Sequence, residues 1–110
     1  MSNSLISKYN LKHNDLIVDL GSNDGTLLAG FKEHGMKVLG VEPTNISKIA
    51  NQSGIETVQK FFTADIANEV KTKYGGASMI IATNMFAHMA SIGEVMSGIE
   101  TLLKDDGVFV

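Results

Sequence analysis

The stretch that decides the fold is Val18-Asp19-Leu20-Gly21-Ser22-Asn23-Asp24-Gly25. It joins a short apolar run, Leu16-Ile17-Val18-Asp19-Leu20, to a segment with helical spacing, and the join is bounded by two glycines. A short, largely apolar run ended by glycine reads as a buried strand. Over residues 26–34, Leu27, Leu28 and Phe31 share one face and Gly35 supplies a stop, which reads as a helix.

The same alternation repeats outward from this join. Residues 37–41 read as a second strand, closed by Glu42-Pro43. Thr44 or Asn45 then caps a helix carrying Ile46, Ile49 and Ala50, which stops before Gly54. Residues 56–62 read as a third strand, residues 64–73 as a helix broken by Gly75-Gly76, and residues 78–83 as a fourth strand. Ser91 with Glu94 three positions on has the form of a capping box. Ile92, Val95, Met96, Ile99, Leu102 and Leu103 follow on one helical face. Asp105-Asp106-Gly107 reads as a turn into a fifth strand, Val108-Phe109-Val110. Regular β-α alternation with short connections predicts an α/β fold: a doubly wound, Rossmann-like, mainly parallel sheet of about five strands with helices on both faces. Residues 1–110 are expected to form one domain and, because the last strand is reached only at the chain end, to be a fragment of a longer protein.

Composition narrows the function classes. Lys and Arg number only 9 among 110 residues and the net charge is −3, so the basic footprint of a nucleic-acid binder is missing. There is no cysteine, which removes disulfides and thiolate metal sites, and no metal site is expected. Apolar runs fall well short of the roughly 20 residues of a membrane span. Met1-Ser2-Asn3-Ser4 has no basic leader, so a cytoplasmic location is expected.

In such a sheet ligands bind at the carboxyl ends of the strands, where connections diverge to opposite faces. That places the Gly21–Gly25 loop at the candidate site. A dinucleotide fingerprint needs a middle and a third glycine, where this chain has Asn23 and Thr26. Asp24 would repel a pyrophosphate but favour a cationic ligand. Glu42, 21 positions after Gly21, can accept hydrogen bonds from two ribose hydroxyls, or can be a solvated strand-end residue. Asp19 is read as a carboxyl that orients the loop rather than one that touches the ligand.

On these residues the sequence resembles the class I S-adenosylmethionine-dependent methyltransferases. The matching pieces are the opening stretch, Val38-Leu39-Gly40-Val41-Glu42-Pro43, Ile80-Ile81-Ala82-Thr83-Asn84-Met85-Phe86-Ala87-His88, and Leu103-Lys104-Asp105-Asp106-Gly107-Val108-Phe109-Val110. The wording Gly-Ser-Asn-Asp-Gly with Gly-Val-Glu-Pro and Asn-x-Phe-Ala-His is similar, more narrowly, to the sugar C-methyltransferases, which act on a ketosugar carried by a nucleotide. The resemblance implies S-adenosyl-L-methionine as cofactor and a small-molecule acceptor. It implies that Gly21, Ser22, Asn23, Asp24 and Gly25 hold the methionine part and Glu42 the ribose. Phe61 or Phe62, with Asp65, would flank the adenine, and Asn84, Met85, Phe86 and His88 would line the floor toward the acceptor. Members of that group also carry an N-terminal zinc-binding region with cysteines, a C-terminal domain, and a Tyr/His segment after the fifth strand that supplies the base. This chain has no cysteine and reaches only Val110.

Each of these residues has a plainer reading. His88 can act as a base or hydrogen-bond the loop backbone. Asp65 can face the helix dipole instead of a purine. One of Phe61 and Phe62 must be core if the segment is extended. His34 reads as a solvated residue favourable to the helix dipole, and His13 as part of an inert polar leader. The rival functions are an NAD(P)-binding oxidoreductase domain and a cofactor-binding fragment inactive on its own. The fifth strand, if exposed, offers an edge through which two copies could pair.

Overall fold

In the computed structural model, residues 2–22, 24–82 and 92–110 are described. The chain runs α1 (Ser2–Tyr9), β1 (Leu16–Leu20), α2 (Thr26–Glu33), β2 (Lys37–Val41), α3 (Ile46–Gln52), β3 (Thr57–Val58), α4 (Ala64–Tyr74), β4 (Ala77–Ala82), α5 (Ile92–Leu102) and β5 (Leu103–Phe109). The strands form one sheet in the order β3-β2-β1-β4-β5, and every pairing is parallel. The sheet is the doubly wound arrangement that the alternation predicts.

The apolar run of β1 is buried at all five positions because it lies between β2 and β4 with helices on both sides. Its side chains alternate between two cores. Leu16, Val18 and Leu20 pack with Leu39, Val41, Ile66, Val70, Val95 and Ile99, under α4 and α5. Ile17 packs with Leu28, Phe31, Met36 and Ala50, under α2 and α3.

Four elements differ from the sequence reading, each through a long-range contact. Helix α1 occupies what reads as a polar leader. Leu5, Ile6 and Tyr9 lie along one face and pack on the second core, while Ser4, Ser7 and Lys8 face solvent. His13, in the same leader, is exposed and its ring lies over Gly35. Strand β3 is two residues long rather than residues 56–62. It is an edge strand that pairs only with Gly40 and Val41. The chain then leaves the sheet to bury Phe62 and to cap α4 with Thr63, whose Oγ1 accepts from Ile66 N at 3.3 Å.

On α5 the buried row is Val95, Gly98, Ile99 and Leu102, whereas Ile92 and Met96 are exposed. The Phe62 ring sits against Gly98, which centres the contact on that row and turns Met96 outward. Leu103 begins β5 rather than ending the helix face. Strand β5 starts earlier than expected because Ala77 pairs with Leu103 before Met79 pairs with Val108. Two steps along β4 thus match five along β5, and residues 104–107, with Asp105 and Asp106 among them, bulge out of the ladder instead of forming a turn before it. Ser91, the first residue of the expected capping box, lies outside the described residues.

Candidate functional site

The carboxyl ends of β1 and β2 end in step. Leu20 pairs with Val41, and Gly21 N donates to Val41 O at 2.7 Å, extending the ladder one residue past β1. The chain then turns: Gly25 N donates to Ser22 O at 3.0 Å, and Gly25 takes φ 83°, the left-handed conformation open to glycine, to start α2. Ser22 is 5% exposed and its hydroxyl has no hydrogen-bond partner among the described residues. It lies directly over Gly40 of β2, where any Cβ would collide with the Ser22 Oγ. A glycine at position 40 is therefore what lets the loop come down onto the sheet.

Asp19 is buried near the end of β1, 1% exposed. Glu42 is fully buried. Its backbone N–H donates to Val58 O at 2.9 Å, so the hydrogen bonding between β2 and β3 extends one residue past β2. Its Oε2 accepts from Thr44 N at 3.1 Å and from Thr44 Oγ1 at 2.7 Å. Glu42 is therefore an interior residue and not a solvated strand end.

Asp24 lies in a different environment. It is exposed, and its Oδ1 accepts from Thr26 N at 3.1 Å and from Thr26 Oγ1 at 2.7 Å. The Thr26 hydroxyl, and after it the Thr26 N–H, hold its carboxyl below the ordinary carboxylate value. With Gly25, Thr26, Ala29, Ile49, Ser53 and Ile55 it lines a shallow depression between α2 and α3, and Glu42 is not part of that depression.

The structure therefore brings Asp19, Gly21, Ser22 and Glu42 to one end of β1 and β2, and sets Asp24 at the outer rim of the turn. Phe62 is 7% exposed and belongs to the core, whereas Phe61 is 49% exposed. Of the two rings, Phe61 is the one open to a ligand. Asp65 is exposed in the first turn of α4, where it faces the helix dipole. Asn23, Asn84, Met85, Phe86 and His88 lie outside the described residues. Sequence reasoning missed Thr44 as a partner of Glu42. The signal was there in Glu42-Pro43-Thr44, but it reads first as a helix start. Among the described residues no group of three or more His, Asp or Glu is placed to hold a metal ion. Among them, too, no helix is long and apolar enough to cross a membrane.

Residues 4–110 match a family described as a methyltransferase domain. The chain belongs to that family. A C-methyltransferase of Streptomyces niveus, NovU, is 38% identical over 105 residues, covering 94% of this chain and 25% of NovU. The fold recurs in a methyltransferase of Geobacter sulfurreducens solved with S-adenosyl-L-homocysteine. The TM-score is 0.70 at 14% identity, over 98% of this chain and 45% of that one. A TehB-like S-adenosylmethionine-dependent methyltransferase of Corynebacterium glutamicum gives a TM-score of 0.72 at 17% identity, over 96% of this chain and 58% of the other. These likenesses show a class I, Rossmann-like methyltransferase fold. The chain spans about a quarter of the length of the curated relative it matches.

Proposed function

We propose that this chain is the S-adenosyl-L-methionine-binding core of a methyltransferase acting on a small-molecule acceptor. The observation that carries the reading is the buried Ser22 hydroxyl, without a partner among the described residues, in a glycine turn that packs on Gly40, two residues before the buried Glu42. A polar group buried without a partner costs stability, typically by about 1–3 kcal/mol, unless a ligand supplies the missing bond. Such a group at the carboxyl end of a parallel sheet fits a polar ligand.

In this reading Gly21, Ser22, Asn23 and Gly25 hold the methionine part, with Asp19 beneath them. Glu42 accepts from the ribose hydroxyls. Phe61, open to solvent, takes the purine face in place of Phe62, with Asp65 beside it. Asp24 contributes its negative field at the rim, which suits a sulfonium and opposes a pyrophosphate. Asn84 and Met85 line the cleft toward the acceptor, and His88 stands on the acceptor side as a hydrogen-bonding group or base. Bound S-adenosylmethionine supplies an electrophilic methyl group on a positively charged sulfur. The chain's own residues contribute alignment and exclusion of water, which are large effects in a bimolecular transfer.

The acceptor we propose is a carbon of a nucleotide-linked ketosugar. The similarity to NovU, a C-methyltransferase, and the Gly-Ser-Asn-Asp-Gly and Asn-x-Phe-Ala-His wording support it. A cytoplasmic location and pairing of two copies along the β5 edge, where Phe109 and Val110 are exposed, belong to the same reading.

Calorimetric titration with S-adenosylhomocysteine, alongside a parallel titration with NAD, tests the cofactor. Saturable binding of the first and none of the second is expected. A folded sample that binds NAD alone would replace the methyltransferase reading by the oxidoreductase one.

A further inference from the structure

The Glu42-Pro43-Thr44 run follows β2 and leads into α3. We propose that Thr44 is a positioning residue: it sets the orientation of the Glu42 carboxyl and thereby the preference for a ligand that carries ribose hydroxyls. The inference rests on the assignment of Glu42 to the ribose.

A glutamate side chain turns about three bonds, so an acceptor built on it is imprecise unless something else fixes it. Here both donors of Thr44, its backbone N–H at 3.1 Å and its hydroxyl at 2.7 Å, converge on the same oxygen, Oε2. Two donors on one oxygen set the plane of the carboxyl and hence the direction of the other oxygen. The backbone between the two residues is stiff. A residue before proline is held extended, which keeps Glu42 in strand conformation, and Pro43 has a locked φ. Thr44 is itself restricted by β-branching.

Its hydroxyl also accepts from Ile46 N at 3.3 Å, in the first turn of α3. The single hydroxyl proton is then committed to Glu42 while the lone pairs face the helix, an arrangement that valine abolishes and serine preserves. The carboxyl is thus oriented by the start of α3 before any ligand arrives. Preorganisation of this kind raises affinity by lowering what binding must still order.

The experiment compares S-adenosylhomocysteine with an analogue lacking the 2′- and 3′-hydroxyls, by calorimetry and by ligand-induced shift in melting temperature. Wild-type protein is expected to prefer the hydroxylated ligand by about tenfold or more, a ratio equivalent to about 1.4 kcal/mol. Thr44→Val is expected to reduce that preference to about threefold or less, with affinity for the dideoxy analogue held within about twofold. Thr44→Ser is expected to keep the wild-type preference. Thr44→Ala, which keeps the backbone donor as valine does but removes the methyl along with the hydroxyl, provides a second test should the valine variant fail to fold, and is expected to reduce the preference as valine does.

A preference that survives in both the valine and alanine variants overturns the role of Thr44 and leaves the cofactor assignment standing. Equal weakening of both ligands overturns it as well, because that is the behaviour of a helix cap alone. Folded wild-type protein that binds neither ligand removes the cofactor assignment, and the inference falls with it.

Discussion

Two turns at the same end of the sheet carry the same hydrogen-bond figure in opposite surroundings. After β1, the Asp24 carboxyl accepts from the N–H and hydroxyl of Thr26 at 3.1 and 2.7 Å. After β2, the Glu42 carboxyl accepts from the N–H and hydroxyl of Thr44 at the same two distances. In each case the threonine lies two positions after the acid. Yet Asp24 is exposed at the start of α2, whereas Glu42 is fully buried. The local chemistry is therefore not what separates a helix-starting residue from a candidate ligand-binding one. Burial separates them, because in water the donors compete with solvent and in the interior they do not.

The strongest way to break this comparison is to neutralise each acid in turn. Glu42→Gln keeps shape and volume but replaces one acceptor oxygen by a donor, inside the protein, where an ill-matched polar group is costly. Affinity for S-adenosylhomocysteine is expected to fall by roughly 10- to 100-fold, the equivalent of losing one to two well-made hydrogen bonds to a charged group. Asp24→Asn is expected to change it by less than about threefold, since an exposed charge acts through a screened field. Calorimetry on the two variants decides, and similar losses in both would mean that burial is not the relevant difference.

Ser22→Ala sharpens the contrast from the other side. The alanine removes a buried hydroxyl that has no partner among the described residues, so the ligand-free protein is expected to gain stability, by about 1 kcal/mol. Affinity for the cofactor analogue is expected to drop by about tenfold at the same time. A residue whose loss stabilises the fold and weakens binding is retained for binding. Denaturant titration paired with calorimetry would show it, and a variant that loses stability without losing affinity would make Ser22 a packing residue.

How much of this was legible follows the same division between local and long-range causes. Strands β1 and β2 are plain in the sequence because a parallel strand covered on both faces leaves a short, largely apolar run, Leu16–Leu20 and residues 38–41. The start of α2 is plain because glycine marks the turn. Glu42 was legible as a candidate from its place just past β2, but its burial was not, since that depends on residues brought to it from elsewhere in the fold. Alternation shows that one of Phe61 and Phe62 must face the core. Which one depends on Gly98, 36 positions after Phe62 along the chain. The length of β3 and the bulge in β5 were hidden for the same reason: an edge strand ends where its neighbour stops pairing with it, and no local pattern records that.

The smallest expected effect tests the exposed copy of the figure on its own terms, through pH. The carboxyl of Asp24 is held below its ordinary value, chiefly by the Thr26 hydroxyl. A group whose folded value lies below its unfolded one adds stability that is fully present above the unfolded value. It is lost as pH falls through the lowered folded value, here in the acid range below about pH 4. Asp24→Asn removes that proton linkage while leaving an acceptor for Thr26, so the variant should melt close to wild type at low pH and slightly below it near neutrality. Because the pair is exposed, the gap should be no more than a degree or two in melting temperature, and added salt should narrow it. Melting curves from pH 2.5 to 7 would resolve a difference of that sign. A gap that instead widens on acidification would show that Asp24 is held by something other than the two donors of Thr26, and the likeness between the two turns would then be one of distances only.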